Sequence, residues 1–281
     1  MRARILGTAA GGGIPQWNCA CPTCHVARAG GGSRTQDCLA ITGDGSIWYL
    51  VNASADLRAQ LLATPELAPA HLTRDPPLGG ILLTSGELDH TIGLLTLREA
   101  ESLRMYATAA VRAALPFATT LDSYLTVRWH TVVPGEPIAL DGGLQALAFA
   151  AGDKQPRYAA GTDGTDWTVA YRFTDARTGG TLVYAPGRAR WSPAFGSGIS
   201  GADAVILDGT FATADELSGG RAMGHLSIED SLAYLGAHPG PAYVYTHLNN
   251  TNPYAFADAT GAARLAAVGA RIAADGEIIR L

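Results

Sequence analysis

The chain has 281 residues, enough for one large domain or two small ones, and with 47% hydrophobic and 16% charged residues it can bury a core and is not a disordered chain. A net charge of −5, a pI of about 5.8 and the lack of any basic cluster argue against a nucleic-acid partner. No run of about 18 apolar residues occurs, so no membrane-spanning helix is expected, and Met1–Gly7 starts a strand where a signal peptide would need an apolar stretch. The expectation is a cytoplasmic protein without membrane contact.

In chain order, Ala3–Gly7 reads as a strand, followed by the turn Ala9-Ala10-Gly11-Gly12-Gly13 and a loop holding Cys19, Cys21 and Cys24. Cys38–Thr42 and Ile47–Val51 read as a hairpin turning at Asp44-Gly45. Ala55–Leu62 reads as a helix capped by Ser54. A strand at Ile81–Leu83, a helix at Ile92–Glu99, a strand at Met105–Ala107 and a helical region from Ala109 to about Thr126 follow. The second half predicts strands at Trp129–Val133, Leu144–Phe149, Thr168–Phe173, Thr181–Tyr184, Ala204–Leu207 and Ala242–Tyr245. Ser227 caps a helix running to about Ala237, Ala259–Val268 reads as another, and Arg271–Leu281 as a final hairpin around Asp275-Gly276. No linker-like shift or short repeat divides the chain, which predicts an α/β fold of one domain, two β-rich halves stacked between helices.

The chemistry sits where these strands end. Asp89-His90 follows Ile81–Leu83, Asp208 follows Val205-Ile206-Leu207, His247 follows Tyr243-Val244-Tyr245, and His225 precedes a helix. Sites in open α/β sheets gather at the carboxyl ends of strands, so these groups are expected to converge on a metal. A lone Asp or His in such a place is most often a cap; a set of this size is not. His71, His130 and His238 lack any such context. Thr84-Ser85-Gly86-Glu87-Leu88-Asp89-His90 resembles the His-x-His-x-Asp-His motif of the metallo-β-lactamase superfamily, with Ser85 and Glu87 in place of its first two histidines. A two-zinc hydrolase would want histidines at both positions to hold a second ion. Ser85 is unsuited to that, and Glu87 reads equally as a weak ligand or a solvated loop residue. Two imidazoles with one or two carboxylates and open positions suit a non-haem Fe(II) centre that uses O2, with Zn or Mn as the alternative.

Cys19-x-Cys21-x-x-Cys24 offers three thiolates in one loop, the soft ligand set of a structural zinc. Spacing leaves the fourth ligand open among Asn250, a poor one, His25 and Cys38. Gly11-Gly12-Gly13 is a tight turn or an anion cradle, and not a dinucleotide fingerprint. Arg34, Arg98, Arg157 and Arg188 are candidates for a substrate carboxylate, although exposed arginines seldom do anything so specific.

A family resemblance joins these pieces. Leu6–Cys21, Arg34-Thr35-Gln36, Asn52-Ala53-Ser54, Asp89–Glu99, Thr178-Gly179-Gly180, Tyr184-Ala185-Pro186-Gly187, Leu207-Asp208-Gly209-Thr210, Met223-Gly224-His225 and His247-Leu248-Asn249-Asn250-Thr251-Asn252-Pro253 occur in order along nearly the whole chain. Together they resemble the pyrroloquinoline quinone biosynthesis protein B (PqqB) family. The resemblance implies the metallo-β-lactamase-type αββα sandwich over residues 1–281, with a zinc-binding loop at about 15–38. It implies that Asp89, His90, Asp208 and His247 match the superfamily's second metal site and that His225 matches a proton-donating histidine. It implies an iron-dependent hydroxylase of the tyrosine in a small peptide, with His225 as the base for the phenol proton, imidazole being the side chain that exchanges protons near neutrality. Relatives are longer over Phe149–Trp167, where they carry a Pro/Tyr/His-rich loop, so another aromatic amino acid or short peptide is allowed for as substrate, and a homodimer as assembly. Two alternatives stand beside this: a metal-dependent hydrolase such as a phosphodiesterase, using zinc or manganese with Glu87 as a ligand, and a non-catalytic carrier in cofactor biosynthesis.

Overall fold

Fourteen strands carry the fold in the computed structural model, which describes residues 1–188, 190–217 and 224–281. Met223, part of one family block, lies outside the described residues. The first sheet holds β1 (Arg2–Gly7), β2 (Cys38–Thr42), β3 (Trp48–Val51), β4 (Leu78–Leu82), β5 (Ser102–Ala107), β6 (Thr126–Thr131) and β14 (Ile278–Arg280), in the order β14-β1-β2-β3-β4-β5-β6. The second holds β7 (Pro137–Leu140), β8 (Leu144–Gly152), β9 (Thr168–Asp175), β10 (Thr181–Ala185), β11 (Ala204–Asp208), β12 (Ala242–Thr246) and β13 (Ala270–Ile272), in the order β13-β12-β11-β10-β9-β8-β7.

Strand periodicity explains the layering. Side chains alternate between the faces of a strand, and here both faces are buried. Leu39, Ile41, Tyr49 and Val51 of β2 and β3 meet Leu182, Tyr184, Ile206 and Val244 of β10, β11 and β12 in a core between the sheets. The intervening Cys38, Ala40, Trp48 and Leu50 face a second core under helices. Val183, Val205, Leu207 and Tyr245 face a third, under helices on the far side. Helix, sheet, sheet, helix is the resulting order.

Several elements depart from the sequence reading for identifiable reasons. The helix expected from Ala55 starts two residues later, as α2 (Leu57–Leu62), because Ser54 Oγ accepts from Asp56 N and bonds Gln60 Oε1 instead of capping. The segment expected as one helix after Ile92 is a short turn, α3 (Leu88–Thr91), and a tight 3₁₀ run, Ile92–Leu97. It lies hard on the preceding turn: Gly93 N donates to Ala53 O at 3.0 Å, and a Cβ at Gly93 would sit 2.0 Å from Ser54 O. The helical region from Ala109 is split into α4 (Ala109–Ala114) and α5 (Ala118–Asp122) by Pro116, which pushes Leu115 to an extended ψ of 115°. The edge strand β7 and the helix α6 (Pro193–Ile199) are additional to the elements expected from the sequence.

The final segment is not a hairpin. β13 runs parallel to β12 in the second sheet, whereas β14 pairs antiparallel with β1 in the first. Asp275-Gly276 carries the chain from one sheet to the other. The Asp275 carboxylate is taken by Thr8 Oγ1 and Thr35 N, at 2.6 Å each, so it anchors the crossing instead of closing a two-residue hairpin turn.

At the carboxyl ends of β4, β11 and β12 the two sheets are stitched together. Ser85 bridges Thr168, Val169 N donates to Thr84 O at 2.8 Å, and Tyr171 OH to Leu83 O at 3.0 Å. On the other side Ala9 bridges both Gln36 and Leu248. The site lies in this seam.

Candidate metal centre

The first half of the site is built on the loop after β4. Asn52, at the end of β3, adopts a left-handed backbone (φ 67°), which Asn tolerates better than most residues. Its Oδ1 accepts from both N and Oγ1 of Thr84, at 3.0 Å each, and so fixes the start of the loop. Ser85 Oγ lies 2.9 Å from His90 Nδ1. A proton on Nδ1 donated to that hydroxyl leaves Nε2 bare, and His90 Nε2 is buried without a hydrogen-bond partner. Asp89 sits under the glycine turn: a Cβ at Gly11 would come 3.3 Å from Asp89 Oδ2, a tight contact at that one position.

The second half comes from the other sheet. Asp208 ends β11 with its oxygens fixed by Thr210 N (2.9 Å), Thr210 Oγ1 (2.7 Å) and Arg188 N (2.9 Å). Thr210 Oγ1 also lies 2.8 Å from His247 Nδ1 and 3.0 Å from His225 Nδ1, and His225 Nδ1 lies 2.6 Å from Asp208 Oδ2. One threonine hydroxyl thus orients an aspartate and two imidazoles. His247 has a left-handed backbone (φ 57°), a conformation unfavourable for His that is held by Leu248 N donating to Thr8 O and Gly209 N to Thr246 O, both at 2.8 Å.

The two halves meet on His247. Ligand atoms of Asp89, His90 and His247 lie within 4.8 Å of one another, as do those of Asp208, His225 and His247. His247 Nε2 is 3.2 Å from Asp89 Oδ2. Glu87 stands outside both groups, with its carboxylate on Lys154 Nζ at 3.1 Å. The sequence prediction therefore brings together Asp89, His90, Asp208, His225 and His247, and leaves Glu87 beside them.

The electrostatics follow from burial and these contacts. Burial opposes ionisation of Asp89, but the fields of His90 and His247 and the bond from His247 outweigh it and hold the carboxyl well below the usual range. Burial, offset only in part by Asp89, pushes His90 down to about 4. For His247 the bond to Asp89 and the fields of Asp89, Asp37 and Asp208 overcome burial and raise it to about 9. Asp208 is held down at about 2 because the field of and bond from His225 exceed the burial penalty. A neutral, bare imidazole between ionised carboxylates is a set of cation ligands.

Asp37 was not singled out in the sequence. It is buried behind His247, accepts from Tyr184 OH and from Thr246 Oγ1 (2.6 Å), and is raised to about 6 by burial. Thr84, Ser85, Asn52 and Thr210 were equally invisible as orienting groups, since a hydroxyl's role depends on what the fold places beside it. Among the arginines, Arg34 is spent on Ala255 O, Ala273 O and Thr8 Oγ1, and Arg98 is exposed beside Glu99. Arg188, expected to be exposed, is fully buried, with its guanidinium 4.1 Å over the Trp191 ring and burial lowering it to about 10.

The thiols of Cys19, Cys21 and Cys24 converge within 4.8 Å. Cys21 caps the short helix α1 (Pro22–Val26), and Arg28 closes the loop onto the carbonyls of Gln16 and Cys19. The Asn250 side chain faces all three sulfurs, with Nδ2 at 3.1, 3.7 and 3.7 Å. Neither the His25 ring nor the Cys38 thiol joins this group, and Cys38 is buried against Asn52 O at 3.3 Å. Three thiolates fit a soft ion such as zinc, and the Asn250 amide lies beside them as a hydrogen-bond donor.

The segment Phe149–Trp167 crosses the loop of the first half. Tyr158 OH donates to Gly86 O, and Lys154 reaches Glu87.

Comparison with known proteins agrees with this architecture. A beta-lactamase superfamily domain matches residues 47–248, and the chain belongs to that superfamily. Coenzyme PQQ synthesis protein B of Methylobacterium nodulans is 36% identical over 301 aligned positions, covering 100% of both chains. That of an Azoarcus species is 38% identical with the same coverage. The crystal structure of Zn2+-bound PqqB from Methylobacterium extorquens superposes with a TM-score of 0.93 at 35% identity, covering 100% of both chains. Within the superfamily, then, the chain belongs to the PqqB family, and its fold is the metallo-β-lactamase αββα sandwich. A diphosphatase of the PhnP family shares the fold with a TM-score of 0.75 at 19% identity. Among the described residues, no helix is long and apolar enough to cross a membrane.

Proposed function

We propose that this protein is an iron-dependent, O2-using hydroxylase of tyrosine or a related aromatic residue, free or in a short peptide, acting in the biosynthesis of coenzyme PQQ. The observation that carries the reading is the bare, buried Nε2 of His90 beside Asp89 and His247, with Asp208 opposite. Two imidazoles and two carboxylates are a mixed N/O set that a divalent iron ion fits and that leaves positions free for other ligands. Such an ion, when bound, would supply Lewis acidity and a redox couple, while the two electrons that reduce the second oxygen atom to water would come from an external reductant, supplied as ascorbate in the assay below. The chain's own residues do the rest. Asp89, His90, Asp208 and His247 hold the ion. Thr210 and Ser85 fix the ring orientations. His225, with Nδ1 on Asp208 and Thr210, keeps its other nitrogen for the phenol proton of the substrate. The names of the relatives support the pathway, and the three thiols with Asn250 support a structural zinc.

A second reading, a metal-dependent hydrolase, is favoured by the Asp208, His225 and His247 group, which offers donors for a further ion. Anaerobic loading with Fe(II), followed by O2 consumption with tyrosine, a Glu-Tyr dipeptide and related aromatic amino acids, separates the two. Uptake with a product heavier by one oxygen atom, lost in His90→Ala and in zinc-loaded protein, is the expected result. Phosphodiester cleavage by the zinc or manganese form, without O2 uptake, overturns the hydroxylase.

A further inference from the structure

A buried cation stands behind Asp208 without a hydrogen-bond partner. Arg188 is 0% exposed, and none of its Nε, Nη1 and Nη2 makes a hydrogen bond. Its guanidinium lies 4.1 Å over the Trp191 ring and 5.4 Å from the centre of the Phe195 ring. Tyr234, on α7 (Ile228–Ala237), stacks on Trp191 with ring centres 3.8 Å apart, so cation and tyrosine take opposite faces of one indole. Such an aromatic cage returns only part of what burying an ion costs. We propose that Arg188 is a positioning residue whose fixed positive charge acts through Asp208 on an ion in the Asp/His centre, favouring the divalent over the trivalent state. The inference rests on the metal-centre reading above.

The main chain of Arg188 belongs to the frame of the centre. Its N donates to Asp208 Oδ2 at 2.9 Å, and its O accepts from Leu226 N, next to His225, at 2.8 Å. An extended arginine side chain reaches about two residues' length, so the guanidinium stays within roughly 10 Å of that carboxylate. With the group out of solvent, little of its field is screened over such a distance. Burial lowers the guanidinium, Asp208 is first among the charges that raise it again, and at about 10 it remains a cation at neutral pH. Asp208 does not need this side chain for its geometry: Thr210 N, Thr210 Oγ1, Arg188 N and His225 Nδ1 already hold both its oxygens. What the side chain adds is charge. Lys154, whose field reaches Asp89, is paired with Glu87 at 3.1 Å and part-exposed, so it adds little net charge. Asp37, raised to about 6, sets an opposing charge behind His247, common to every variant below. Asp89 and Asp208 balance a divalent ion, and a third positive charge on that ion is opposed by Arg188.

The test compares wild type, Arg188→Met and Arg188→Lys, each carrying zinc at its thiols, which disfavour manganese. Met keeps the length without the charge, and Lys keeps the charge. No side-chain hydrogen bond is lost, so Arg188→Met should melt no lower than wild type, and Arg188→Leu is a second neutral variant should it fail to fold. Mn(II) affinity is read from the loss of the free Mn(II) electron paramagnetic resonance signal. The Fe(III)/Fe(II) midpoint is read from a mediated redox titration of the iron-loaded protein. The neutral variant should bind Mn(II) on the order of tenfold more tightly. Its trivalent state should gain on the order of tenfold over the divalent, a midpoint about 59 mV lower for a one-electron couple. Arg188→Lys should stay near wild type in both. A side chain that merely packs acts the other way, since a loosened Asp208 weakens Mn(II) binding. Weaker or unchanged Mn(II) binding in the neutral variant, or a midpoint that stays at the wild-type value, overturns the inference and leaves the metal centre intact; no Mn(II) bound by wild type overturns the metal-centre reading with it.

Discussion

Two clusters hang from the same loop and are built on opposite principles. His247, at the end of β12, belongs to the Asp/His centre, and Asn250, three residues on, faces the three thiols. In the Asp/His centre each ring is oriented by a hydroxyl, carried by Ser85 or Thr210, and the ligands come from both sheets. In the thiol cluster the sulfurs come from one short loop, and their neighbours are backbone groups and a single amide. A hard-ligand centre that must leave positions open needs its ligands aimed from outside; a soft, closed cluster is shaped by the ion it holds. The first should therefore tolerate loss of its ion with its ligands in place, and the second should lose its loop.

The largest expected effect is at His90. His90→Gln should weaken the active-site ion by on the order of a hundredfold or more and abolish turnover, while one thiol-bound zinc per chain persists in elemental analysis. Loss of both ions together would mean that the clusters form one cooperative unit through residues 247–252. Cys24→Ser tests the reverse. Cys24 is buried, so the variant should lose the thiol-bound zinc and melt roughly 10 °C lower, by several kcal/mol of lost stability, with the Asp/His ion still bound when the chain is folded.

Among the described residues, Asp37 is the buried carboxylate behind His247 whose value is raised by burial. Its folded value of about 6 is above the unfolded carboxylate value of 3.8, the reverse of a salt-bridged aspartate. Below the unfolded value both states are protonated and the group contributes nothing to pH dependence. As pH rises from there to about 6 the unfolded chain ionises first, so stability falls, by about 3 kcal/mol in total, and stays lower above that window. Asp37→Asn removes this slope. Between pH 4 and 7 the melting temperature of metal-free wild type should fall with rising pH relative to that of the variant; parallel curves would show that Asp37 does not titrate there.

Much of the centre could be read from the sequence because its ligands are local events: an Asp or His directly after an apolar strand. The order of strand and helix segments likewise predicted two β-rich halves stacked between helices. What stayed hidden depends on contacts between distant segments. The Asp275-Gly276 turn looked like a hairpin because a turn signal does not say which sheet receives the next strand. Arg188 looked like a surface charge because nothing local reveals that Trp191 and Phe195 will enclose it. The edge strand β7 hides because only Leu140 of its four residues is buried. Lys154 and Glu87 are far apart in sequence and meet only because the loop after β8 folds back over the loop after β4.

The smallest predicted effect isolates the orienting shell. Thr210→Val keeps the side chain's shape and removes the hydroxyl that serves Asp208 Oδ1, His225 Nδ1 and His247 Nδ1 together. The backbone bond from Thr210 N to Asp208 Oδ1, at 2.9 Å, stays, so the aspartate remains held while both rings lose a partner. Ion affinity should fall on the order of ten- to a hundredfold, with the thiol-bound zinc unaffected. A fall confined to this variant, with Thr210→Ser near wild type, would place the loss on the hydroxyl. Unchanged affinity in Thr210→Val would mean that the protein packing around the rings, and not the shared hydroxyl, aims the imidazoles, and the contrast between an aimed centre and an ion-shaped cluster would then rest on Ser85 alone.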